Sequence, residues 1–150
     1  MKLKQISVFI ENSPGRLFEV TQALGAEGIN LRALNLVDIA DFGVLRLLVS
    51  DIATARRIMM EKQIPARIDD VVAAEIEDRP GRLSELLRPL LEAKVNVDYM
   101  YAFMGLSSKK AVMVFRFGDN DRAIDILQKN GIKLLDAEAF GMLEIGAQEE

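Results

Sequence analysis

The sequence predicts an α+β fold made of two ferredoxin-like βαββαβ units, each with an antiparallel sheet that carries its helices on one face. The first observation is a repeat, because "ENSPGRL" at residues 11 to 17 returns as "EDRPGRL" at residues 77 to 83. The second is that the same order of strand and helix patterns follows each copy of this motif. That order builds an antiparallel sheet with both helices on one side.

The opening strand and first helix are recognisable in both copies. The strands are "QISVFI" at 5 to 10 and "VVAAEI" at 71 to 76, in which β-branched residues are prominent, as a half-buried strand requires. After the motif, apolar residues recur at helical spacing. In the first copy these are Leu17, Val20 and Leu24, and in the second Leu83, Leu86, Leu87, Leu90 and Leu91.

A hairpin, a second helix and a fourth strand complete each copy. The hairpin strands are expected at 28–37 and 44–49, and again at 94–104 and 112–117, with turns at 38–43 and 105–110. Asp51 and Asp119 lie where a helix N-cap belongs, and Gly131 is placed to stop the last helix in a left-handed conformation. The fourth strands are "IPARID" and "IKLLDAEAF".

The repeat divides the chain into a first domain at 1–69, a second domain at 70–143 and a polar C-terminal tail at 144–150. No Gly-rich or Ser-rich linker separates the copies near Asp69 and Asp70. We therefore expect the two units to be held in a fixed relation.

Composition excludes several classes of function. The chain has no Cys and no His, so thiolate metal sites are excluded and the commonest general base is missing. We expect no metal, no cofactor and no catalytic residue. A net charge of −4 disfavours nucleic acid as a partner. Because no apolar run approaches the roughly 18 residues of a membrane span and no secretory pattern opens the chain, we expect a cytoplasmic protein without membrane contact.

The repeated Pro-Gly step predicts an anion site at the start of a helix. Pro favours a first helical position, Gly lets another group approach the backbone, and the free N–H groups carry about half a positive charge. Asn12 and its counterpart Asp78 stand just before the Pro, and we expect Asn30 or Asn96 to reach the same space from the next strand. A free amino acid offers a carboxylate to the helix and an ammonium to a side-chain oxygen.

The doubled motif resembles a tandem pair of ACT domains, regulatory modules that bind amino acids at domain interfaces in biosynthetic enzymes and transcription regulators. The resemblance covers residues 1 to about 143, through "ENSPGRL" with "GIN" and "EDRPGRL" with "KVN". "VDYMYAF" further resembles stand-alone tandem ACT proteins without a catalytic domain. The resemblance implies an effector held between the loop of one unit and the second strand and first helix of a neighbour. The implied ligand-binding residues are Asn12, Ser13, Pro14, Gly15, Arg16, Leu17, Asn30 and Leu31, then Asp78, Arg79, Pro80, Gly81, Arg82, Leu83, Asn96 and Val97.

The chain departs from the family pattern at positions that affect which effector is expected. Serine-binding members place a His at the end of the first strand, where this chain has Ile10 and Ile76, so serine is not the expected effector. The difference between Asn12 and Asp78 predicts two sites of unequal affinity. Arg16 and Arg82 fit a solvated face better than an effector contact, because the helix dipole does not favour a cation in the first turn.

The expected partners are an amino acid effector, a second copy of the chain in a homodimer, and a metabolic enzyme. A ligand-free ACT-type dimerisation scaffold for such an enzyme is one alternative. A small ferredoxin-like hydrolase is another, although the phosphate-cradling loop sequence of acylphosphatases is missing. An RNA-binding sheet would need aromatics on the central strands, where the first copy offers only Phe9.

Overall fold

The computed structural model describes residues 1–104 and 109–142, and of Met104 only the backbone. The elements in chain order are β1 (Leu3–Glu11), α1 (Arg16–Ala26), β2 (Leu31–Ile39), β3 (Phe42–Val49), α2 (Ile52–Glu61), β4 (Ala66–Glu77), α3 (Arg82–Glu92), β5 (Val97–Met104), β6 (Lys110–Phe117), α4 (Asn120–Lys129), β7 (Lys133–Leu135) and a 3₁₀ turn (Glu138–Phe140). The predicted α+β class and the ferredoxin-like order are confirmed. The predicted tail at 144–150 and the turn residues 105–108 lie outside the described residues.

Contacts within the chain define two units, whose boundary lies inside β4. The first unit holds Lys4–Asp69 with the described residues 137–142, and the second holds Asp70–Asp136 with Met1–Leu3. The sequence pattern predicted two strands here, the last of one copy and the first of the next. They form one continuous strand because residues 66–77 contain no Gly or Pro to interrupt it.

In the first unit the strands are ordered β2-β3-β1-β4. β3 runs antiparallel to both β1 and β2, with Leu47 opposite Ile6 on one side and Leu34 on the other. Because side chains alternate between the faces of a strand, the residues of β1 and β3 that pack against both helices share one face. That core is formed by Ile6, Val8, Ile10, Val20, Leu24, Leu45, Leu47, Val49, Ala55, Ile58 and Met59. Both helices of this unit therefore pack on the same face of the sheet, as predicted.

The second unit repeats this arrangement with the order β5-β6-β4-β7, and each of these pairings is antiparallel. The rings of Phe115 and Phe117 stack with their centroids 5.0 Å apart. The buried core is formed by Val72, Ala74, Ile76, Leu86, Leu90, Val95, Ala111, Phe115, Phe117, Ala123, Leu127, Ile132 and Leu134. Here too the alternating strand residues and both helices share one core.

The helices α1 to α4 end in the same chain reversal. The backbone N–H groups that close it donate to carbonyls five residues earlier, from Ile29 to Leu24, Ile64 to Met59, Val95 to Leu90 and Ile132 to Leu127. The residue before each of these donors has a left-handed backbone, with φ of 75° at Gly28, 56° at Gln63, 58° at Lys94 and 74° at Gly131. This is the Schellman motif, so the prediction for Gly131 is confirmed.

The closing strand of the second copy is shorter than predicted. β7 covers only Lys133–Leu135, and the chain then enters the 3₁₀ turn at Glu138–Phe140. Asp, Ala and Glu are depleted in strands, and these residue types follow directly after Leu135. The strand pattern therefore ends where the β-branched and large apolar residues end.

Candidate functional site

The Pro-Gly step of each motif forms a tight turn before a helix. The N–H of Arg16 donates to the carbonyl of Ser13 at 3.4 Å, and Gly15 between them has φ of 91°. This places Pro14 second and glycine third, which is the residue preference of a type II turn. The N–H of Arg82 donates to the carbonyl of Arg79 at 3.3 Å in the same way, across Pro80 and Gly81, whose φ is 83°.

This geometry corrects the expected role of the prolines. The helices begin at Arg16 and Arg82 with glycine as the N-cap, so Pro14 lies before the cap rather than at the first helical position. A Cβ added at Gly15 or Gly81 would have no atom within 4 Å. Glycine is therefore required for its left-handed φ, and the space beside it is open.

The helices that follow these turns differ from the other two at their N-termini. No side chain caps α1 or α3. In contrast, the Asp51 carboxylate accepts from the N–H of Thr54 at the start of α2, and Asp119 accepts from the N–H of Arg122 at the start of α4. Both Asp caps were predicted and are confirmed. The N–H groups of Arg16 and Arg82 donate within the turns, and the N–H groups that follow them in α1 and α3 remain available to an external anion.

The arginine of each motif lies between two carboxylates of its own unit. Arg16 is 3.7 Å from Glu11 at the end of β1 and 3.1 Å from Glu19 in the first turn of α1. In the second unit Arg82 is paired with Glu77 and Glu85, at 2.5 and 3.3 Å. Only 18% of the Arg82 side chain is exposed, against 43% for Arg16. The expected solvated face therefore fits Arg16, whereas Arg82 is largely covered.

The first loop is residues 12–15, between β1 and α1, and the second loop is residues 78–81, between β4 and α3. Two further cations lie at the second loop that have no counterpart at the first. Arg79 binds both carboxylate oxygens of Glu85, at 3.0 and 2.7 Å, and Lys110 lies 3.8 Å from Glu77. The hydrogen bond from Arg82 is the main cause that lowers the pKa of Glu77 to about 2, and the bond from Arg79 lowers the pKa of Glu85. The corresponding residues of the first copy are Ser13 and Phe42, so the two loops differ in charge.

Asn12 joins the first loop to the neighbouring hairpin. Its side-chain amide donates to the Asp38 carboxylate at 3.2 Å, and its backbone N–H donates to the Asp41 carbonyl at 2.9 Å. The second loop keeps the backbone contact, because the N–H of Asp78 donates to the Lys109 carbonyl at 2.8 Å. Both loops are therefore held beside the hairpin of their own unit.

The structure places Asn30 and Leu31 away from their own loop. The backbone N–H of Asn30 donates to Ser50 Oγ and its carbonyl accepts from the Ser50 N–H, both at 2.9 Å. Leu31 pairs with Val49 at the end of β3, whereas Glu11, next to the loop, pairs with Phe42 at its start. Seven residues of strand separate these ends, or roughly 23 Å. The expectation that Asn30 reaches the same space within one copy is wrong.

Asn96 and Val97 lie at the corresponding end of the second unit. The carbonyl of Asn96 accepts from the Gly118 N–H at 2.9 Å, and its amide donates to Asp98 at 3.2 Å. Val97 pairs with Phe117 at the end of β6, far from Lys110, which pairs with Glu77. The expectation for Asn96 within one copy is therefore wrong for the same reason.

Clefts border the first loop on several sides, and one of about 370 Å³ lies between Asn12, Ser13 and the hairpin residues Ala40, Asp41 and Phe42. Another of about 320 Å³ has Arg16 and Lys62 in its lining. A third, of about 210 Å³, lies between the loop, the first turn of α1 and the second half of β2. Its lining residues are Ile10, Glu11, Asn12, Ser13, Leu17, Leu36, Val37, Asp38 and Gly43. Of the predicted site residues, Asn12, Ser13 and Leu17 meet in this third cleft.

Sequence analysis missed Leu36, Val37 and Asp38 as candidate site residues. They belong to β2, and only strand pairing shows that its second half returns to the loop. One signal was present in the sequence, since leucine at positions 34 and 36 points to the helix side of an outer strand. That pattern predicts an apolar face but not the cleft beside it.

No helix among residues 1–104 and 109–142 has the length and apolar character needed to cross a membrane. Within the same described residues, Asp and Glu side chains form no group of three or more that could hold a metal ion.

Comparison with known proteins gives one family and several similar structures. The family described as the ACT domain pair matches residues 1–143. Protein BT0572 from Bacteroides thetaiotaomicron is 38% identical, with a TM-score of 0.89 over 95% of this chain and 98% of that one. The ligand-free regulatory subunit of aspartate kinase from Thermus thermophilus is 15% identical, with a TM-score of 0.62 over 84% and 91%. The regulatory subunit from Thermus flavus is 16% identical, with a TM-score of 0.60 over 83% and 88%. No curated protein matches the chain.

Proposed function

Because the chain belongs to the family of ACT domain pairs, we propose that it is a non-catalytic regulatory protein that binds a free amino acid at the glycine turns before α1 and α3. The observation that carries this proposal is the contrast between helix starts. Two helices have an Asp cap, and the two that follow the repeated motif have none. An amino acid carboxylate supplies the missing acceptor for their N–H groups, where the helix dipole favours negative charge.

The open space beside Gly15 and Gly81 supports the same assignment. Apart from the two neighbouring residues, a Cβ at either glycine would have no protein atom within 4 Å, so the turn backbone is open to a small molecule. The cleft beside the first turn contains the Asp38 carboxylate and the Asn12 amide, which suit the ammonium group of the same ligand. Carboxylate and ammonium then bind different groups of one unit.

We further propose that the chain acts as a homodimer and that a second copy completes the site. β2 ends the strand order of its unit, so its outer edge offers unpaired backbone groups. If two β2 strands pair antiparallel about Asn35, Leu31 of one copy lies opposite Ile39 of the other. Asn30 of the partner subunit then comes beside the loop, where Asp38 holds Asn12. This pairing brings together the two halves of the implied site that one unit keeps apart.

The proposed partner is a metabolic enzyme of the cytoplasm. The two Thermus proteins of similar fold are regulatory subunits of an enzyme, which supports a role of this kind. A ligand regulates such a partner only in proportion to its differential affinity for two states of the complex. The net charge of −4 argues against nucleic acid as the target.

A thermal-shift screen of the free amino acids, each matched with its amide, tests the proposed function. At one hundred times its Kd, one bound ligand adds about 2.7 kcal/mol to the free energy of unfolding. For a chain of this size that raises Tm by about 5 to 11 °C. The amides lack the carboxylate and are expected to give no shift. Equal shifts for acid and amide would contradict the carboxylate position, and no shift at millimolar concentration would favour the ligand-free scaffold.

A further inference from the structure

We propose that the ligand of the first unit is an amino acid with an aliphatic side chain, held in the cleft of about 210 Å³ beside the loop. This inference rests on the proposed function and adds the chemical class of the effector. The volume lies below the roughly 300 to 1,000 Å³ of pockets for drug-sized ligands, so it suits a single amino acid.

Part of the cleft lining is apolar. The apolar lining residues are Ile10, Leu17, Leu36 and Val37. Leu17 and Leu36 are 39% and 48% exposed, so they offer apolar surface to a ligand. An aliphatic ligand side chain removes part of this surface from water, and each buried methylene contributes to binding.

The rest of the cleft lining is polar and acidic. Glu11 and Asp38 line the cleft together with Asn12 and Ser13, and its described lining residues include no Lys or Arg. Asp38 already accepts a hydrogen bond from Asn12, which fixes the direction of its carboxylate. An ammonium group is favoured beside these carboxylates, whereas a ligand with an acidic side chain is repelled. The lining therefore selects a neutral apolar side chain.

The second unit does not repeat this lining. Strand register matches Leu36 to Ala102, and the motif matches Ser13 to Arg79. Ala102 offers a smaller apolar surface than leucine, and Arg79 is held by both oxygens of Glu85 beside its turn. The aliphatic specificity thus belongs to the first unit alone.

The role of the apolar lining residues is tested by calorimetric titration of the wild-type protein with glycine, alanine, 2-aminobutyrate and norvaline. Each added methylene is expected to tighten binding roughly fourfold, as burial of about 0.8 kcal/mol per methylene requires. Aspartate and serine are expected to bind more weakly than norvaline. If aspartate or serine binds as tightly as norvaline, the aliphatic class is wrong although the sensor function stands. If no amino acid binds, both proposals fail.

Two variants connect the specificity to named residues. Leu36→Ala introduces the residue that the second unit has at this position, and it is expected to flatten the increase in affinity from alanine to norvaline. Met60→Ala changes an exposed residue of α2 outside the cleft lining and is expected to retain this increase in affinity. The ratio of two affinities within one variant is insensitive to a general loss of stability. An unchanged increase in Leu36→Ala would overturn the proposal.

The role of the Asp38 carboxylate is tested by comparing the affinities for leucine and for its deaminated analogue, 4-methylpentanoate. Asp38→Asn is expected to reduce the wild-type preference for leucine by about tenfold, since a hydrogen bond to a charged group is lost. Asp41→Asn removes the same charge from the same hairpin but outside the lining, and is expected to keep the preference. Equal preference in all three proteins would remove Asp38 from the site.

Discussion

The guanidinium Nε of Arg82 lies 2.5 Å from a carboxylate oxygen of Glu77, and this hydrogen bond is the main cause that lowers the pKa of Glu77 to about 2. The pair ties the end of β4 to the first residue of α3, across the second glycine turn. A carboxyl with a lowered pKa in the folded state makes stability depend on pH in a defined direction.

The first prediction is that Glu77→Gln weakens the acid sensitivity of folding. The ordinary pKa of this carboxyl is 4.5, so its stabilising contribution is complete above that pH and is lost as the pH falls toward about 2. Tm measured from pH 6 to pH 2 should therefore fall less steeply in the variant. High salt should reduce the difference, because half of the Glu77 side chain is exposed to solvent. Identical slopes at low salt would contradict the assignment.

The second prediction compares two glycines of the first unit that have the same local geometry. Gly15 and Gly28 both have positive φ, and an added Cβ would meet no atom within 4 Å at either position. Ala should therefore lower the free energy of unfolding by about 1 kcal/mol at each. Only Gly15→Ala is expected to weaken amino acid binding in calorimetry, because Gly28 follows the other end of α1. Equal affinity in the two variants would exclude the turn from the site.

The third prediction concerns the proposed contribution of a second copy. Asn12→Ala and Asn30→Ala are each expected to weaken binding by about 1 to 3 kcal/mol, with little effect on folding. When the two variants are mixed and allowed to exchange, each mixed dimer contains one site with both residues intact. Calorimetry should then show high-affinity binding at half of the first-unit sites of the mixed dimers.

The mixing experiment discriminates between a site within one copy and a site between copies. If Asn12 and Asn30 acted in the same copy, each mixed dimer would already be impaired at both sites and no high-affinity binding would return. Light scattering of the same samples must show the dimer, because a monomer that binds with wild-type affinity would contradict the proposed assembly.

The fourth prediction uses the shared helix ending. Lys94 holds the left-handed position after α3 that Gly28 holds after α1, with φ of 58° and 75°. A side chain in this conformation costs roughly 1 to 2 kcal/mol. Replacing it with glycine removes this cost, but about half of the gain is offset because glycine increases the entropy of the unfolded chain. Lys94→Gly should therefore stabilise the protein by about 0.5 to 1 kcal/mol in urea unfolding. Lys129→Gly, inside α4, should instead destabilise it, and a destabilised Lys94→Gly would contradict the strain argument.

The sequence by itself determined the repeat and the order of its helices and strands. Capping at Asp51 and Asp119, the reversal at Gly131 and the apolar stripes of the helices depend on residues within a few positions of one another. Such local preferences can be read along the chain because each acts over about one turn of helix or one pleat of strand. The repeated motif also carries the resemblance to the family in the sequence alone.

Only the tertiary structure decided which of the motif residues meet. Strand pairing puts Leu31 and Glu11 at opposite ends of β3, and it returns Leu36 and Asp38 to the first loop. The ion pairs that cover Arg82 likewise join the end of one strand, a turn and a helix. Register depends on contacts between residues distant in sequence, so motif spacing does not specify it. The sequence thus determined the starts of α2 and α4 and the repeated motif, whereas strand pairing decided the walls of the site.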